Sequence, residues 1–595
     1  MMAIGRTLGR RAALVAAAAS VAWAAPADAR RAQPAQPVSS SPYPAADSLE
    51  GNYLSAYIAG SARDTVAAAV FYREALREDP NNPELMERAF VSLLADGDVS
   101  GSQRVAERLL VRDPNNALAQ LTLAVRALKA KQFASARTVL ARGARGRAAD
   151  VTATLLTAWS YAGSKDGKRA LEVVNGLRGE RAFAVFRDYH AGLIAELVGN
   201  LPEAETRLKA AYDAEKATLR VVDAYSRLQS RLGRADAATT GYRGYEALAP
   251  RHPFVRYALD QLSSGRTLPP LVQTAQDGAA EVLYGLGSAG NQSGDELASI
   301  VYLRLALHLN PDHALALVTL ADVFERLKRT EQAVEILKRM PPTSPMKASA
   351  EVQIGLSLEQ LGKGAEAVQL LERVTADRPD DTDALVALGN VLRSRKSYAE
   401  AAEAYSRAID KTRPGDGGLW PLHYYRGTTY ERAKEWTKAE ADLKRAMELV
   451  PDSQPLGKSQ VLNYLGYSWV DQNTNLDEAF RLLRRAVELN PRDGMIIDSL
   501  GWAHYRFGQY EDAVRELEKA AELKAGDPVI NDHLGDAYWH VGRRLEARFQ
   551  WQHAKDSNPE PDDLKKIEEK MASGLSDAPV TPAASRISSP EKNGG

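Results

Sequence analysis

Small residues recur at a fixed interval along the second half of the chain, and apolar residues surround them at helical spacing. Leu, aromatic and Ala positions lie three and four residues apart between these points, a pattern typical of amphipathic helices. Four small residues follow one another every 34 residues, and twelve residues after each stands another small residue. The first set is Gly287, Ala321, Gly355 and Gly389, and the second is Ser299, Ala333, Ala367 and Ala401.

Helix-breaking residues punctuate the same pattern. Pro311, Pro345 and Pro379 are again 34 residues apart, and each ends a unit, because proline disfavours helix in the residue before it. Glycines such as Gly508 and Gly542 separate the two halves of a unit. The pattern therefore predicts a helix–turn–helix of 34 residues, which buries its apolar face only by stacking on neighbouring units.

These units resemble the tetratricopeptide repeat (TPR) family. The resemblance implies an all-α fold, a TPR α-solenoid or superhelix of about fourteen helix–turn–helix repeats between residues 49 and 561. A Pro- and Gly-containing stretch interrupts the frame, so we expect two arms: a degenerate array at 49–262, a break at 263–279 and a second array at 280–561. The unit that carries the family signature most fully has Gly427, Tyr430, Trp436, Ala439, Leu443, Ala446 and Pro451.

The two ends of the chain differ in composition from the repeats. Residues 1–29 have the features of a secretory signal peptide: basic Arg10 and Arg11, then 14 largely apolar residues, then Ala27-Asp28-Ala29 as a cleavage site. We expect a Pro/Ala-rich tether at 30–48, and a short helix with a disordered tail at 562–595. The expected location is the periplasm, either free or peripheral to the outer membrane, with export by the general or the twin-arginine route left open.

Composition and motifs narrow the function classes. The 76 basic and 77 acidic residues nearly balance, which argues against a nucleic-acid-binding protein, and the absence of Cys excludes disulfides and Cys-ligated metals. Phosphate-binding loops, nucleophile elbows and His-Glu-x-x-His pairs do not occur, so we expect no enzyme and no cofactor. One cluster has the helical spacing of a metal site, although a polar helix face is the simpler interpretation: Asp532, His533, Asp536 and His540.

The last three units differ from the others at the positions that the resemblance assigns to the concave surface. Large aromatic side chains stand there beside carboxylates and an amide, a combination typical of protein-binding surfaces. The alternative is that Trp502 and Trp539 pack between hairpins or cap the end of the stack. The predicted partner-binding residues are Asn463, Tyr467, Asp498, Trp502, Tyr505, Asp532, Asp536 and Trp539.

Residues 460–560 are similar to the C-terminal units of periplasmic TPR proteins of Gram-negative bacteria. One such family includes an outer-membrane adaptor that binds a carboxy-terminal processing protease and presents peptidoglycan hydrolases to it. Together these features predict a non-catalytic adaptor that holds one or more protein clients in its concave grooves. Two arms allow two clients, and the Asp and Asn side chains can bond a peptide backbone or a basic residue. The alternative is a scaffold for exopolysaccharide or envelope assembly.

Overall fold

The computed structural model describes residues 45–143, 147–177, 181–413, 415 and 417–576. The predicted signal peptide, residues 30–44 of the tether and the tail from residue 577 lie outside this part of the chain, so those interpretations stay predictions. The chain divides into two compact units, unit 1 up to residue 363 and unit 2 from residue 364. All regular secondary structure in the described residues is α-helical, which confirms the predicted all-α solenoid.

Unit 1 contains eighteen of the helices described. They are α1 (Leu49–Ser61), α2 (Thr65–Glu78), α3 (Pro83–Asp96), α4 (Val99–Arg112), α5 (Ala117–Lys129), α6 (Phe133–Gly143), α7 (Arg147–Gly163), α8 (Gly167–Asn175), α9 (Arg181–Leu197), α10 (Leu201–Ala214), α11 (Leu219–Arg231), α12 (Ala235–Glu246), α13 (Pro253–Ser263), α14 (Ala275–Ser293), α15 (Glu296–Leu309), α16 (Ala314–Arg326), α17 (Thr330–Lys338) and α18 (Lys347–Gln360).

Unit 2 contains the remaining helices of the described chain. They are α19 (Gly364–Asp377), α20 (Thr382–Ser394), α21 (Tyr398–Lys411), α22 (Leu419–Arg432), α23 (Trp436–Leu449), α24 (Pro455–Asp471), α25 (Leu476–Leu489), α26 (Gly494–Arg506), α27 (Tyr510–Leu523), α28 (Pro528–His540), α29 (Arg544–Asp556) and α30 (Pro561–Ser573).

The turn inside each hairpin depends on a residue in the left-handed backbone conformation. Gly508 and Gly542 take this role with φ of 74° and 84°, and Lys434 takes it with φ of 62°. Several of the first helices start on a side-chain cap, because the first backbone N–H groups of a helix have no partner within it. Asp527, for example, accepts hydrogen bonds from the backbone of Val529 and Ile530 at the start of α28. The turn residues mark the middle of each hairpin, and caps of this kind mark the start of several hairpins.

The paired helices of a hairpin approach closely at the small residues that mark the repeat. A Cβ atom added to Gly501 would lie 2.7 Å from Cγ of Leu517 on the partner helix, and one added to Gly535 would lie 2.5 Å from the ring of Trp551. Leu517 and Trp551 are fully buried. In unit 2 the first helices of successive hairpins also touch, α24 against α26 and α26 against α28, and α30 packs on α29.

Unit 1 covers its own first helices. Helix α14 packs against α7 and α9, and α15 packs against α3, α4 and α5. Polar contacts join the same parts, such as the one from Arg304 Nε to the Ala95 carbonyl oxygen (3.2 Å) and from Lys129 Nζ to the Leu309 carbonyl oxygen (2.9 Å). In unit 1 the surface that the resemblance assigns to a client is therefore occupied by the chain itself.

The predicted break at 263–279 lies inside unit 1, and the sequence boundary between the two units falls between residues 363 and 364. The non-helical residues of this stretch pack against α11 rather than forming a free linker. Leu268 is buried and its backbone N–H donates to Ser230 Oγ (3.0 Å), while Arg227 Nη1 donates to the Pro269 carbonyl oxygen (3.1 Å). Helices α14 to α18, which the sequence assigns to the second arm, thus belong to the first unit.

Within the described residues, every helix is too short or too polar to cross a lipid bilayer.

Candidate protein-interaction surface

The eight predicted binding residues lie on three successive first helices of unit 2. Asn463 and Tyr467 are on α24, and the other six are divided equally between α26 and α28. Because α26 contacts both neighbouring first helices, these side chains form one continuous region. Their individual environments differ strongly, and only some of them face open space.

Asp498 is engaged inside the protein rather than presented to a partner. Only 3% of it is exposed, and its two carboxylate oxygens lie 3.0 Å and 3.2 Å from Nδ1 of His533 on the next first helix. The His533 ring stacks on Trp502, with ring centroids 4.0 Å apart. Burial alone would lower the pKa of His533, but the Asp498 carboxylate raises it above its ordinary value. The geometry is that of a buried ion pair under an aromatic ring.

Trp502 and Tyr505 form the next layer of the same stack. Their rings are nearly parallel with centroids 4.7 Å apart, and Tyr505 Oη lies 3.3 Å from Nδ1 of His540. Tyr505 is buried, which raises its pKa, whereas Trp502 is half-buried. Tyr467, also half-buried, has its pKa raised by burial and then by Asp471 and Asp498. Trp502 and Tyr467 are the members of this group that keep a surface toward solvent.

Asp532 and Asp536 are held by a lysine of the last helix. Nζ of Lys570 on α30 lies 2.8 Å from oxygens of both carboxylates, and Nε1 of Trp551 donates to Asp536 at 2.9 Å. Burial raises the pKa of Asp536 to about 6, with Lys570 opposing the shift and Asp532 adding to it. The same carboxylates raise the pKa of Lys570 although burial lowers it. Two of the predicted acidic contacts thus share one cation of the chain itself.

The arrangement also bears on the metal-site alternative. His533 faces Asp498 and His540 faces Tyr505, while Lys570 stands between the two carboxylates where a cation would bind. Among the described residues, no group of three or more His, Asp or Glu side chains has the geometry to hold a metal ion.

Trp539 lies at the end of the helical stack. Its ring is 8% exposed, Nε1 donates to the Leu575 carbonyl oxygen at 3.0 Å, and the Trp551 ring lies 5.4 Å away. Gly574 passes so close to the ring that a Cβ atom there would lie 2.2 Å from it. This is the position that the packing interpretation gives to Trp539, under the segment that follows α30.

Asn463 opens onto a cavity of about 490 Å³, which we call the α24 cavity. Its Oδ1 atom is buried and accepts no hydrogen bond from the described residues. A buried acceptor without a donor is costly. Because Asn463 is half-buried and lines the cavity, a turn of its side chain brings Oδ1 to an incoming N–H group and removes this cost. The main lining residues are Tyr424, Asn463, Tyr464, Arg492, Met495 and Lys524.

Two aromatic side chains line one side of the α24 cavity. Tyr424 and Tyr464 meet edge to face with centroids 5.6 Å apart, and Tyr464 Oη donates to Glu431 Oε2 at 2.9 Å. Sequence reasoning identified Asn463 but not Arg492 or Lys524, which lie between hairpins, outside the positions that the family resemblance singles out. The sequence feature that could have identified them is their place in the short connections between a second helix and the next first helix.

Comparisons with known proteins agree with the repeat assignment. Two family models, both described as tetratricopeptide repeat, match the chain, one at residues 352–416 and 470–528 and the other at residues 292–353. The chain is 36% identical over 91 residues to TPR repeat-containing protein PA4667 of Pseudomonas aeruginosa; the match covers 15% of this chain and 15% of that relative's length.

Solved helical-repeat structures are also similar. A tetratricopeptide repeat protein from Parabacteroides merdae aligns with a TM-score of 0.36 and 16% identity, over 43% of this chain and 97% of its own. The APC/C hetero-tetramer Cut9–Hcn1 aligns with a TM-score of 0.35 and 13% identity, over 88% of this chain and 96% of its own. From the family matches and the sequence relative, we conclude that the chain contains tetratricopeptide repeats.

Proposed function

We propose that the chain is a non-catalytic protein-interaction scaffold that binds an extended segment of a partner protein at the α24 cavity. The observation that carries the proposal is the buried Asn463 Oδ1 atom, which has no donor among the described residues. An amide at a concave surface recognises the backbone of an extended chain, while the Tyr424 and Tyr464 rings offer apolar area with little conformational entropy to lose. First helices of stacked hairpins form the usual binding surface of a helical-repeat protein.

The internal pairing of charged groups supports a binding function over a catalytic one. A general acid or base needs a proton-transfer group that reaches the substrate. In the described part of unit 2, Asp498 is paired with His533, and Asp536 with Lys570. Asp493, the carboxylate that lines the α24 cavity, caps α26 by accepting from the Met495 backbone N–H at 3.0 Å. These groups hold the fold and leave the cavity as a surface for contact.

The finer proposal concerns location and clients. We propose a periplasmic protein, exported by the signal peptide at residues 1–29, that presents peptidoglycan hydrolases to a processing protease. The support for this is the N-terminal sequence and the resemblance of residues 460–560 to periplasmic adaptors. A scaffold for exopolysaccharide or envelope assembly is the second candidate, favoured by the same location with different partners.

Site-specific photo-crosslinking in intact cells tests both levels. A photo-reactive amino acid replaces Asn463, and in a matched control it replaces Arg481, which is 74% exposed on the second helix α25. We expect discrete crosslinked proteins from position 463 and not from position 481. Periplasmic fractionation of the same cells tests the location.

The identity of the captured proteins separates the candidates. A protease together with a wall hydrolase supports the adaptor, and components of polysaccharide export support the alternative. Equal crosslinking from positions 463 and 481, or none from 463, contradicts the placement of the binding surface at the α24 cavity.

A further inference from the structure

The three predicted binding carboxylates, Asp498, Asp532 and Asp536, offer a basic partner less free negative charge than their number suggests. Asp498 is compensated by His533, and Asp532 and Asp536 share Lys570, each at hydrogen-bonding distance. A charge that is already paired and buried attracts an incoming charge weakly, because its field is largely cancelled by its neighbour. A basic client therefore meets at most one uncompensated negative charge at these residues.

Free charge at the α24 cavity is positive instead. Arg492 and Lys524 line the cavity, both are exposed, and neither forms an ion pair with any described residue. The carboxylate of Asp493 in the same lining is committed to the start of α26 and to Asn490, whose Nδ2 donates to it at 3.3 Å. Two cations against this one carboxylate leave the rim with a net positive charge, which favours an anionic partner and disfavours a basic one.

Apolar surface lies directly beside these cations. Met495 is 37% exposed and Leu523 is 46% exposed, and both line the α24 cavity. The α24 cavity therefore offers a partner three kinds of contact. They are packing on exposed apolar side chains, ion pairing with two cations, and a hydrogen bond to the Asn463 amide. An occupant that satisfies all three carries an apolar side chain, an acidic side chain and a free backbone N–H.

We propose that the partner of the α24 cavity is an extended internal segment of another protein in which an acidic residue neighbours an apolar one. The acidic side chain meets Arg492 and Lys524, the apolar side chain packs on Met495 and Leu523, and a backbone N–H donates to Asn463 Oδ1 once this side chain has turned toward the cavity. This inference rests on the proposed function, because it names the chemistry of the partner at the same surface. The exposed charge contacts are screened by salt, so the preference shows in selectivity and in ionic-strength dependence.

Random-peptide phage display against the full chain tests this directly. Peptides displayed at the N-terminus of the coat protein have no free carboxyl terminus, so any anion they offer is a side chain. We expect enrichment of sequences with Asp or Glu beside a large apolar residue. The charge-reversed variant Arg492→Glu/Lys524→Glu is expected to lose this enrichment, and to bind a selected peptide about tenfold more weakly in fluorescence anisotropy at low salt.

A matched control keeps the net charge change equal. Arg395→Glu/Lys565→Glu alters two exposed cations of unit 2 away from the α24 cavity, and it should bind the selected peptide as the wild type does. Circular dichroism and thermal melting of both variants show whether each is folded.

The outcomes separate this inference from the function on which it rests. If the wild type enriches peptides whose sequences are basic or uncharged, or if both charge-reversed variants weaken binding equally, the acidic-segment inference is overturned while peptide binding stands. If no peptide is enriched and Asn463 yields no crosslink, the proposed binding function itself fails.

Discussion

Single residues without a side chain set how closely the helices of a hairpin approach. Gly501 faces the fully buried Leu517, whose Cγ would lie 2.7 Å from an added Cβ and whose backbone N would lie 3.3 Å from it. Overpacking of this kind costs about 1–3 kcal/mol, while replacing a helical glycine by alanine returns up to about 1 kcal/mol. We therefore expect Gly501→Ala to lower the free energy of unfolding of unit 2 by about 1–2 kcal/mol, measured by urea denaturation.

The control for this prediction is a glycine with open space around it. Gly526 lies in the connection between α27 and α28, and nothing stands within 4 Å of a Cβ added there. Gly526→Ala should leave the urea midpoint unchanged or raise it slightly, because the substitution reduces the freedom of the unfolded chain. Equal destabilisation by both substitutions would show that close helix approach is not the reason for the small residue at position 501.

At the scale of elements, α30 depends on a few contacts with the helices before it. Ile567 is buried, and Lys570 is the cation shared by Asp532 and Asp536. In Lys570→Gln the two carboxylates face each other without a positive charge, so we expect the C-terminal hairpin to lose about 1–3 kcal/mol at pH 8. The loss should be smaller at pH 5, because Asp536 has a pKa of about 6 and is then largely protonated.

Thermal melting at the two pH values checks this. The matched control is Lys566→Gln, which removes an exposed lysine of the same helix that pairs with Asp563 and should change the melting temperature little. If the two variants melt alike at pH 8, Lys570 does not hold α30 in place.

The helical hairpins could be predicted because a periodic sequence pattern specifies them. Contacts between helices that are far apart in the sequence could not be predicted from that pattern. Small residues at Gly427 and Gly466 and the helix-ending prolines specify local structure and the face that packs. The ion pair between Lys570 and Asp536 joins residues 34 positions apart. Lys570 lies on α30, which is outside the repeat pattern. Sequence reasoning therefore placed the acidic residues on the correct helices without revealing that they already pair with a lysine of the same chain.

The sequence of helix α15 contains one indication of long-range packing that the 34-residue pattern does not explain. Its sequence is apolar around the whole helix, with Ile300, Leu303, Leu305 and Leu307 all buried. An amphipathic hairpin helix needs one apolar face, so a helix that is apolar all round is expected to have neighbours on several sides. The contacts of α15 with α3, α4 and α5 provide them.

At the scale of the whole molecule, the two units differ in how much of their first-helix surface the chain itself covers. In unit 1 helices α14 and α15 cover the first helices α3, α5, α7 and α9. A buried polar network ties the parts of unit 1 together around Glu281 of α14. Its carboxylate accepts hydrogen bonds from Tyr189 of α9 (3.0 Å) and Arg220 of α11 (3.1 Å), and it lies 3.0 Å from His313 Nε2. We therefore expect a client to bind unit 2 and not this covered surface of unit 1.

Replacing Glu281 by glutamine should loosen unit 1 as a whole. Burial alone would raise the pKa of Glu281, but Arg220 and His313 hold it well below its ordinary value. A depressed carboxyl pKa contributes stability that is present above the pKa of the unfolded chain and is lost as the pH falls through the folded value. Because Glu281→Gln leaves Arg220 buried with less compensation, we expect a loss of about 3 kcal/mol at pH 7 and a weaker acid dependence below about pH 4.5.

Hydrogen exchange followed by mass spectrometry locates the effect. Amides of α9, α11, α14 and α16 should exchange faster together in Glu281→Gln, while those of α24, α26 and α28 should exchange as in the wild type. The control Glu335→Gln removes an exposed carboxylate of α17 that pairs with Lys338 and should leave both units unchanged. Faster exchange confined to α14 would mean that the network does not couple the helices of unit 1. Faster exchange in unit 2 as well would mean that the two units do not unfold independently.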